Sequence, residues 1–79
     1  MAKKLFEIVS RVMNIPTTEI SESSGPDSIP GWDSLNMYVL LNEIEKEFNV
    51  KFSLQETLEI KTVGDFKKKL EKYGVNQDE

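Results

Sequence analysis

The sequence has neither cysteine nor histidine among its 79 residues. Without cysteine the chain forms no disulfide and no thiolate metal site. Without histidine it lacks the commonest general base and the usual zinc ligand, and both Ser-His and Cys-His nucleophile pairs are excluded. We therefore do not expect an enzyme, and any thiol chemistry must come from a group attached to the chain.

Long apolar runs are also missing. No stretch approaches the roughly 20 apolar residues that a helix needs to span a bilayer. Near the N-terminus the charge of Glu7 follows only two apolar residues, Leu5 and Phe6, which is not the pattern of a secretion signal. The sequence therefore predicts no membrane span and a cytoplasmic protein.

Positive charge is scarce in the middle of the chain, although the net charge is only −4. Residues 18–65 hold ten acidic residues and three lysines. Such a segment repels nucleic acid and favours a partner with a basic patch, although a merely solvated charged surface explains it equally well. The acidic middle and the lack of a basic recognition helix count against a DNA-binding module.

Residues 1–79 are long enough for one small domain. Apolar residues recur at helical spacing over 3–14, and Pro16 stops this first helix. Its predicted apolar face consists of Leu5, Phe6, Ile8, Val9, Val12 and Met13.

Residues 15–33 form a long loop rich in serine, proline and glycine. Loops of this length in a compact domain are usually functional or disordered. Scattered apolar residues, namely Ile15, Ile20, Ile29 and Trp32, predict that the loop is pinned to a core. Trp32 either packs against that core or contacts a partner.

A second and longest helix is predicted over residues 34–48. Two neighbouring apolar stripes follow it, one through Leu35, Tyr38, Leu41 and Ile44 and one through Leu40, Ile44 and Phe48. Met37 and Val39 widen the apolar surface beyond what a bundle helix needs. We expect part of this excess to be exposed, where it can serve as a docking site.

Two capping patterns predict the remaining helices. Ser53 with Glu56 begins a short helix ending near Glu59, and Thr62 with Asp65 begins the last helix. Val63, Phe66, Leu70 and Tyr73 give this last helix its buried stripe, and the run 67–69 is expected to be solvated. Gly74 ends the helix, and residues 75–79 should fray. The predicted fold is all-α, a small four-helix bundle with three longer helices, one short helix and a long first loop.

The start of the second helix holds the most informative residues. Asp33 is predicted as the N-cap and Ser34 as the first helical residue, with its hydroxyl outside the core. A helix N-terminus offers unpaired N–H donors and a partial positive charge that suit a phosphate group. Taken alone, however, Asp33-Ser34-Leu35 also fits an ordinary helix cap.

Together with the order of the helices, several motifs resemble the acyl carrier protein family. They are Asp33-Ser34-Leu35, the run 43–48 (Glu-Ile-Glu-Lys-Glu-Phe) and the run 62–66 (Thr-Val-Gly-Asp-Phe). The resemblance implies that Ser34 carries 4′-phosphopantetheine, whose thiol holds an acyl group as a thioester. It also implies that Asp33 caps the helix and is recognised by a phosphopantetheinyl transferase. Leu35 is expected to fix the start of the helix against the core.

The resemblance further implies a monomer whose partners are that transferase and the enzymes that load and transfer acyl groups. We expect these partners to contact Asn36, Met37, Val39, Leu41, Glu43, Glu45 and Glu47. Carriers of general fatty-acid synthesis usually have acidic residues where this chain has Asn36 and Val39. The difference favours a specialised fatty-acid, polyketide or related pathway, while an aminoacyl or peptidyl carrier and an unmodified helical adaptor stay open as alternatives.

Overall fold

The computed structural model describes residues 3–75, which contain four α-helices and no strand. Helix α1 spans Lys3–Met13, α2 spans Ser34–Phe48, α3 spans Leu54–Glu59 and α4 spans Val63–Lys72. A short 3-10 helix at Thr17–Glu19, which the sequence did not predict, lies in the long first loop. The predicted all-α bundle of three longer helices and one short helix is confirmed.

Helix α1 contributes four buried residues to the core, Leu5, Ile8, Val9 and Met13, while Phe6 and Val12 are partly buried. It ends at Met13, one residue earlier than predicted, because Asn14 adopts a left-handed backbone with φ of 59°. The N–H of Ile15 then reaches back to the carbonyl of Ser10 at 3.2 Å. Asparagine tolerates this conformation better than most residues and is a common helix terminator.

The long loop is pinned to the core as predicted. Ile20, Ile29 and Trp32 are buried, and Ile15 is partly buried. Trp32 is only 7% exposed, so its interpretation as a packing residue is confirmed and that of a partner contact is wrong. These apolar anchors give the loop a fixed course to the start of α2.

Backbone contacts join the loop to the connection between α3 and α4. The N–H of Val63 donates to the carbonyl of Ser24 at 2.9 Å, and the N–H of Gly64 donates to the carbonyl of Glu22 at 2.7 Å. Gly25 lies so close to this connection that a Cβ there would approach the carbonyl oxygen of Lys61 to 2.5 Å. Only glycine permits this approach without a shift of the backbone.

Helix α2 buries Leu40, Leu41 and Ile44, with Met37 and Phe48 packed beside them. Leu35 and Tyr38, which were predicted to share an apolar stripe with Leu41 and Ile44, are 73% and 67% exposed and lie outside the core. At about 100° per residue the buried stripe runs from Met37 through Ile44 to Phe48, and Leu35 lies on the opposite side of the helix.

Both predicted capping boxes are present, Ser53 with Glu56 at α3 and Thr62 with Asp65 at α4. Helix α4 ends before Gly74, whose φ is 74°. The prediction of a frayed end is wrong at Val75, because its N–H donates to the carbonyl of Leu70 at 3.0 Å and its side chain packs on the core. The rest of the predicted tail, 76–79, lies outside the described residues.

Two expectations for α4 need correction. Tyr73 is not part of a buried stripe; it is 42% exposed, and its hydroxyl donates to Glu56. The run 67–69 lies in the middle of the helix, and two of its lysines form ion pairs, Lys67 with Glu22 at 2.8 Å and Lys69 with Glu59 at 2.5 Å. Helical spacing alone could not reveal these partners, because they come from other segments of the fold.

Candidate functional site

Asp33 caps helix α2, as predicted from the sequence. Its backbone is extended, with φ of −114°, and its Oδ1 accepts a hydrogen bond from the N–H of Asn36 at 2.8 Å. Its carbonyl accepts the first helical hydrogen bond, from the N–H of Met37, at 2.8 Å. Ser34 is consequently the first residue of the helix, and it is exposed to solvent.

Two backbone donors remain available at this helix end. Within residues 3–75, no hydrogen bond uses the N–H groups of Ser34 and Leu35, and the side chain of Asp33 accepts from the N–H of Asn36 instead. The 15-residue helix adds the partial positive charge of its N-terminus. An exposed hydroxyl beside two free donors is a suitable attachment point for a phosphodiester.

The side chain of Asn36 has a role that the sequence did not reveal. Its Nδ2 donates to the carbonyl of Gly31 at 2.7 Å, and the N–H of Asp33 donates to the same carbonyl at 3.0 Å. Both bonds tie the first turn of α2 to the preceding loop. Asn36, predicted as a partner contact, thus also fixes the position of Ser34.

Leu35 does not fix the helix start against the core, so that expectation is wrong. Its side chain points to solvent. Trp32, which precedes it in the sequence, is buried, and Met37, which follows it, packs against the core. Those two residues and the Asn36 hydrogen bond secure the first turn. A leucine directly after Ser34 was the misleading signal, because the apolar character of a residue does not reveal which side of the helix it occupies.

The acidic residues predicted to meet partners are engaged within the chain. Glu43 forms an ion pair with Arg11 at 2.8 Å and Glu47 one with Lys4 at 3.2 Å, while a carboxylate oxygen of Glu45 accepts from the backbone N–H of Phe52 at 2.8 Å. Arg11 and Lys4 are seven residues apart on α1, a spacing that places them on one side of the helix. That spacing was a signal of the pairing with α2.

The apolar residues of the predicted partner surface are divided by the fold. Leu41 is buried in the core, so its assignment as a partner contact is wrong. Met37 is partly buried, and Val39 is 40% exposed. The exposed apolar residues of α2 are Leu35, Tyr38 and Val39.

A groove of about 610 Å³ opens beside Ser34. It runs between the long loop, the first turns of α2 and the α3–α4 connection, and Ser34 itself forms part of its wall. Exposed hydroxyl, free N–H donors and adjacent groove together fit a covalently attached phosphopantetheine. No group of acidic side chains suited to a metal ion occurs within residues 3–75, and no helix there has the length and apolar character needed to cross a membrane.

Comparison with known proteins identifies the family. The protein-family model described as "Phosphopantetheine attachment site" matches residues 3–70 of this chain. An acyl carrier protein of Porphyromonas gingivalis is 35% identical over 63 residues, which cover 80% of this chain and 81% of that protein. The chain belongs to the acyl carrier protein family.

Two further relatives of the acyl carrier protein family agree with this assignment. An acyl carrier protein of Azobacteroides pseudotrichonymphae is 30% identical over 66 residues, covering 82% of this chain and 78% of its own length. A solved structure from Mycobacterium tuberculosis, described as a candidate acyl carrier protein, superposes with a TM-score of 0.80 at 25% identity and covers 91% of this chain and 96% of its own. As a member of the family, the chain carries covalently attached 4′-phosphopantetheine.

Proposed function

We propose that 4′-phosphopantetheine is joined to the Oγ of Ser34, and that the chain carries acyl groups as thioesters for a specialised fatty-acid, polyketide or related pathway. In this proposal the carrier is a cytoplasmic monomer and not an enzyme. The observation that carries the proposal is the position of Ser34, an exposed hydroxyl at the start of α2 directly after the Asp33 cap.

The prosthetic group supplies a thiol that forms thioesters, and the chain's own residues hold its attachment point. Asp33 accepts the hydrogen bond from the N–H of Asn36, and the N–H groups of Ser34 and Leu35 would be left to donate to a phosphodiester on Ser34. Asn36 holds this turn against Gly31. With no histidine to remove a proton, the chain leaves deprotonation of the Ser34 hydroxyl to the transferase.

A tethered acyl group reaches the active site of a docked enzyme at high effective concentration. The carrier therefore needs a surface near Ser34 that its partners recognise. The exposed apolar residues Leu35, Tyr38 and Val39 supply it, since they lie in the same first turns of α2. Glu43 and Glu47, farther along the helix, pair with α1 and offer less charge to a basic partner.

This surface supports a specialised pathway rather than general fatty-acid synthesis. An enzyme that recognises carriers through basic side chains finds neutral Asn36 and apolar Val39 beside Ser34. A partner with an apolar contact area suits the exposed Leu35 and Tyr38 better.

Intact mass spectrometry tests the attachment. The purified apo protein is incubated with coenzyme A and a broad-specificity phosphopantetheinyl transferase, alongside Ser34→Ala and Ser23→Ala. Ser23 is also exposed and lies on the groove, so its variant controls for the loss of any serine there. We expect one phosphopantetheine on the wild type and on Ser23→Ala, and none on Ser34→Ala. Addition to Ser34→Ala would refute the assignment.

A further inference from the structure

The groove beside Ser34 is built differently on its floor and on its rim. Its apolar floor comes from Trp32, Met37 and Ile60, of which Trp32 and Ile60 are buried core residues. The rim is polar. It includes Ser34 and Lys61, which the fold brings together from distant parts of the sequence. At about 610 Å³ the groove is in the size range of small-molecule sites.

The walls of the groove are held by the backbone. Gly25 meets the carbonyl of Lys61 so closely that a Cβ would come within 2.5 Å of it. The N–H of Lys61 donates to Oδ2 of Asp65 at 2.8 Å, and the neighbouring Val63 bonds to the carbonyl of Ser24. A groove with fixed walls costs a flexible ligand less ordering free energy than one that must first form.

The charge of the rim selects one position for an anion. Among the residues that line the groove are two carboxylates, Asp27 and Asp33, and one cation, Lys61. Asp33 accepts from the N–H of Asn36, whereas Lys61 is exposed and forms no ion pair within residues 3–75. A negative group on Ser34 is therefore repelled by Asp27 and Asp33 and attracted toward Lys61.

We propose that this groove is a binding site for the phosphopantetheine arm of the undocked carrier, with Lys61 as counter-ion to the phosphodiester and Met37 and Ile60 as the contact for its gem-dimethyl group. This proposal rests on the attachment to Ser34. Phosphate, dimethyl carbon and amides follow one another along the arm, and the groove offers a cation, an apolar floor and hydroxyl groups. Docking on an enzyme must draw the arm out of the groove.

NMR spectroscopy of the apo and holo proteins tests the site. We expect loading to shift the amide signals of residues 23–25, 27 and 60–62 in addition to those of residues 33–37. We also expect nuclear Overhauser contacts between the dimethyl protons of the arm and the side chains of Met37 and Ile60. In Lys61→Ala the apo-to-holo shift changes at residues 60–62 should disappear, while the matched variant Lys51→Ala should retain them, since Lys51 is exposed and outside the groove.

The outcomes separate this site from the attachment itself. If mass spectrometry shows the arm on Ser34 while shift changes stay confined to residues 33–37 and no Overhauser contact appears, the groove does not bind the arm. Equal shift changes in Lys61→Ala and Lys51→Ala would overturn the role of Lys61. Failure of the folded wild type to accept the arm would overturn both the attachment and the groove.

Discussion

The hydroxyl of Tyr73 donates a hydrogen bond of 2.5 Å to Oε1 of Glu56 and so joins the end of α4 to α3. The same carboxylate accepts from the N–H of Ser53 at 3.0 Å and from Nζ of Lys72 at 3.1 Å. Glu56 is buried, and hydrogen bonds to its charged form lower its pKa to about 2, the bond from Tyr73 being the largest cause. The six-residue helix α3 is thus anchored through one carboxylate.

The low pKa of Glu56 predicts an acid-dependent loss of stability. Folding lowers the pKa of Glu56 from 4.5 to about 2. The contribution of Glu56 to the free energy of unfolding is therefore complete above about pH 4.5 and is lost as the pH falls toward 2. Glu56→Gln should therefore be less stable than the wild type at pH 7, and the difference should narrow between pH 4.5 and 2. Urea unfolding of both proteins at pH 7, 4 and 2.5 measures this difference in unfolding free energy.

Two matched variants accompany this experiment. Tyr73→Phe keeps the ring that packs 6.0 Å from Phe52 but removes the hydroxyl, so it should lower the melting temperature by several degrees. Glu71→Gln changes an exposed carboxylate of α4 and should have little effect on stability. A pH-independent difference between wild type and Glu56→Gln would show that Glu56 does not act through its charged form.

Leu35 and Leu40 have the same side chain and opposite environments. Leu40 is completely buried and Leu35 is exposed, so Leu40→Ala should cost about 2 to 5 kcal/mol of unfolding free energy. Leu35→Ala should change it by less than about 0.5 kcal/mol. Guanidinium unfolding compares the two variants, and equal losses would contradict the exposed position of Leu35.

Gly25 and Gly31 provide a similar pair in the long loop. A Cβ on Gly25 would lie 2.5 Å from the carbonyl oxygen of Lys61, whereas on Gly31 the nearest atom would be the carbonyl oxygen of Met13 at 3.7 Å. Gly25→Ala should therefore destabilise the fold by about 1 to 3 kcal/mol, and Gly31→Ala should be close to neutral. A neutral Gly25→Ala would contradict the close packing of this wall of the groove.

The sequence predicted those features whose signals are local. The caps Asp33, Ser53 and Thr62, the four helices and the exposed position of Ser34 all follow from residues within one or two turns of one another. The family resemblance added the prosthetic group, which no pattern of side chains alone could supply.

The features that sequence reasoning missed depend on contacts between distant segments. The partners of Glu43 and Glu47 lie on α1, and Lys61 reaches the groove only because the α3–α4 connection packs on the loop. The exposed position of Leu35 and the burial of Leu41 depended on which side of an unusually apolar helix faces the core. Composition could not decide between those sides.

The apolar surface near Ser34 predicts poor recognition by general fatty-acid synthase enzymes. A malonyl transferase from such a system should load the holo protein with low kcat/KM, and Val39→Glu should raise that value several-fold if the missing acidic residue is the reason. Val39→Gln controls for polarity without charge. Val39 is 40% exposed, so both variants should fold. Efficient loading and elongation of the unaltered chain would contradict a specialised role.

The central claim is that Ser34 is the residue that carries the arm. After loading with coenzyme A and a broad-specificity transferase, tandem mass spectrometry of proteolytic peptides locates the phosphopantetheine among the serines of the loop and helix, Ser21, Ser23, Ser24, Ser28 and Ser34. The structure predicts a single modification on Ser34, the first residue of α2. Modification of a loop serine, or none on a folded protein, would contradict it.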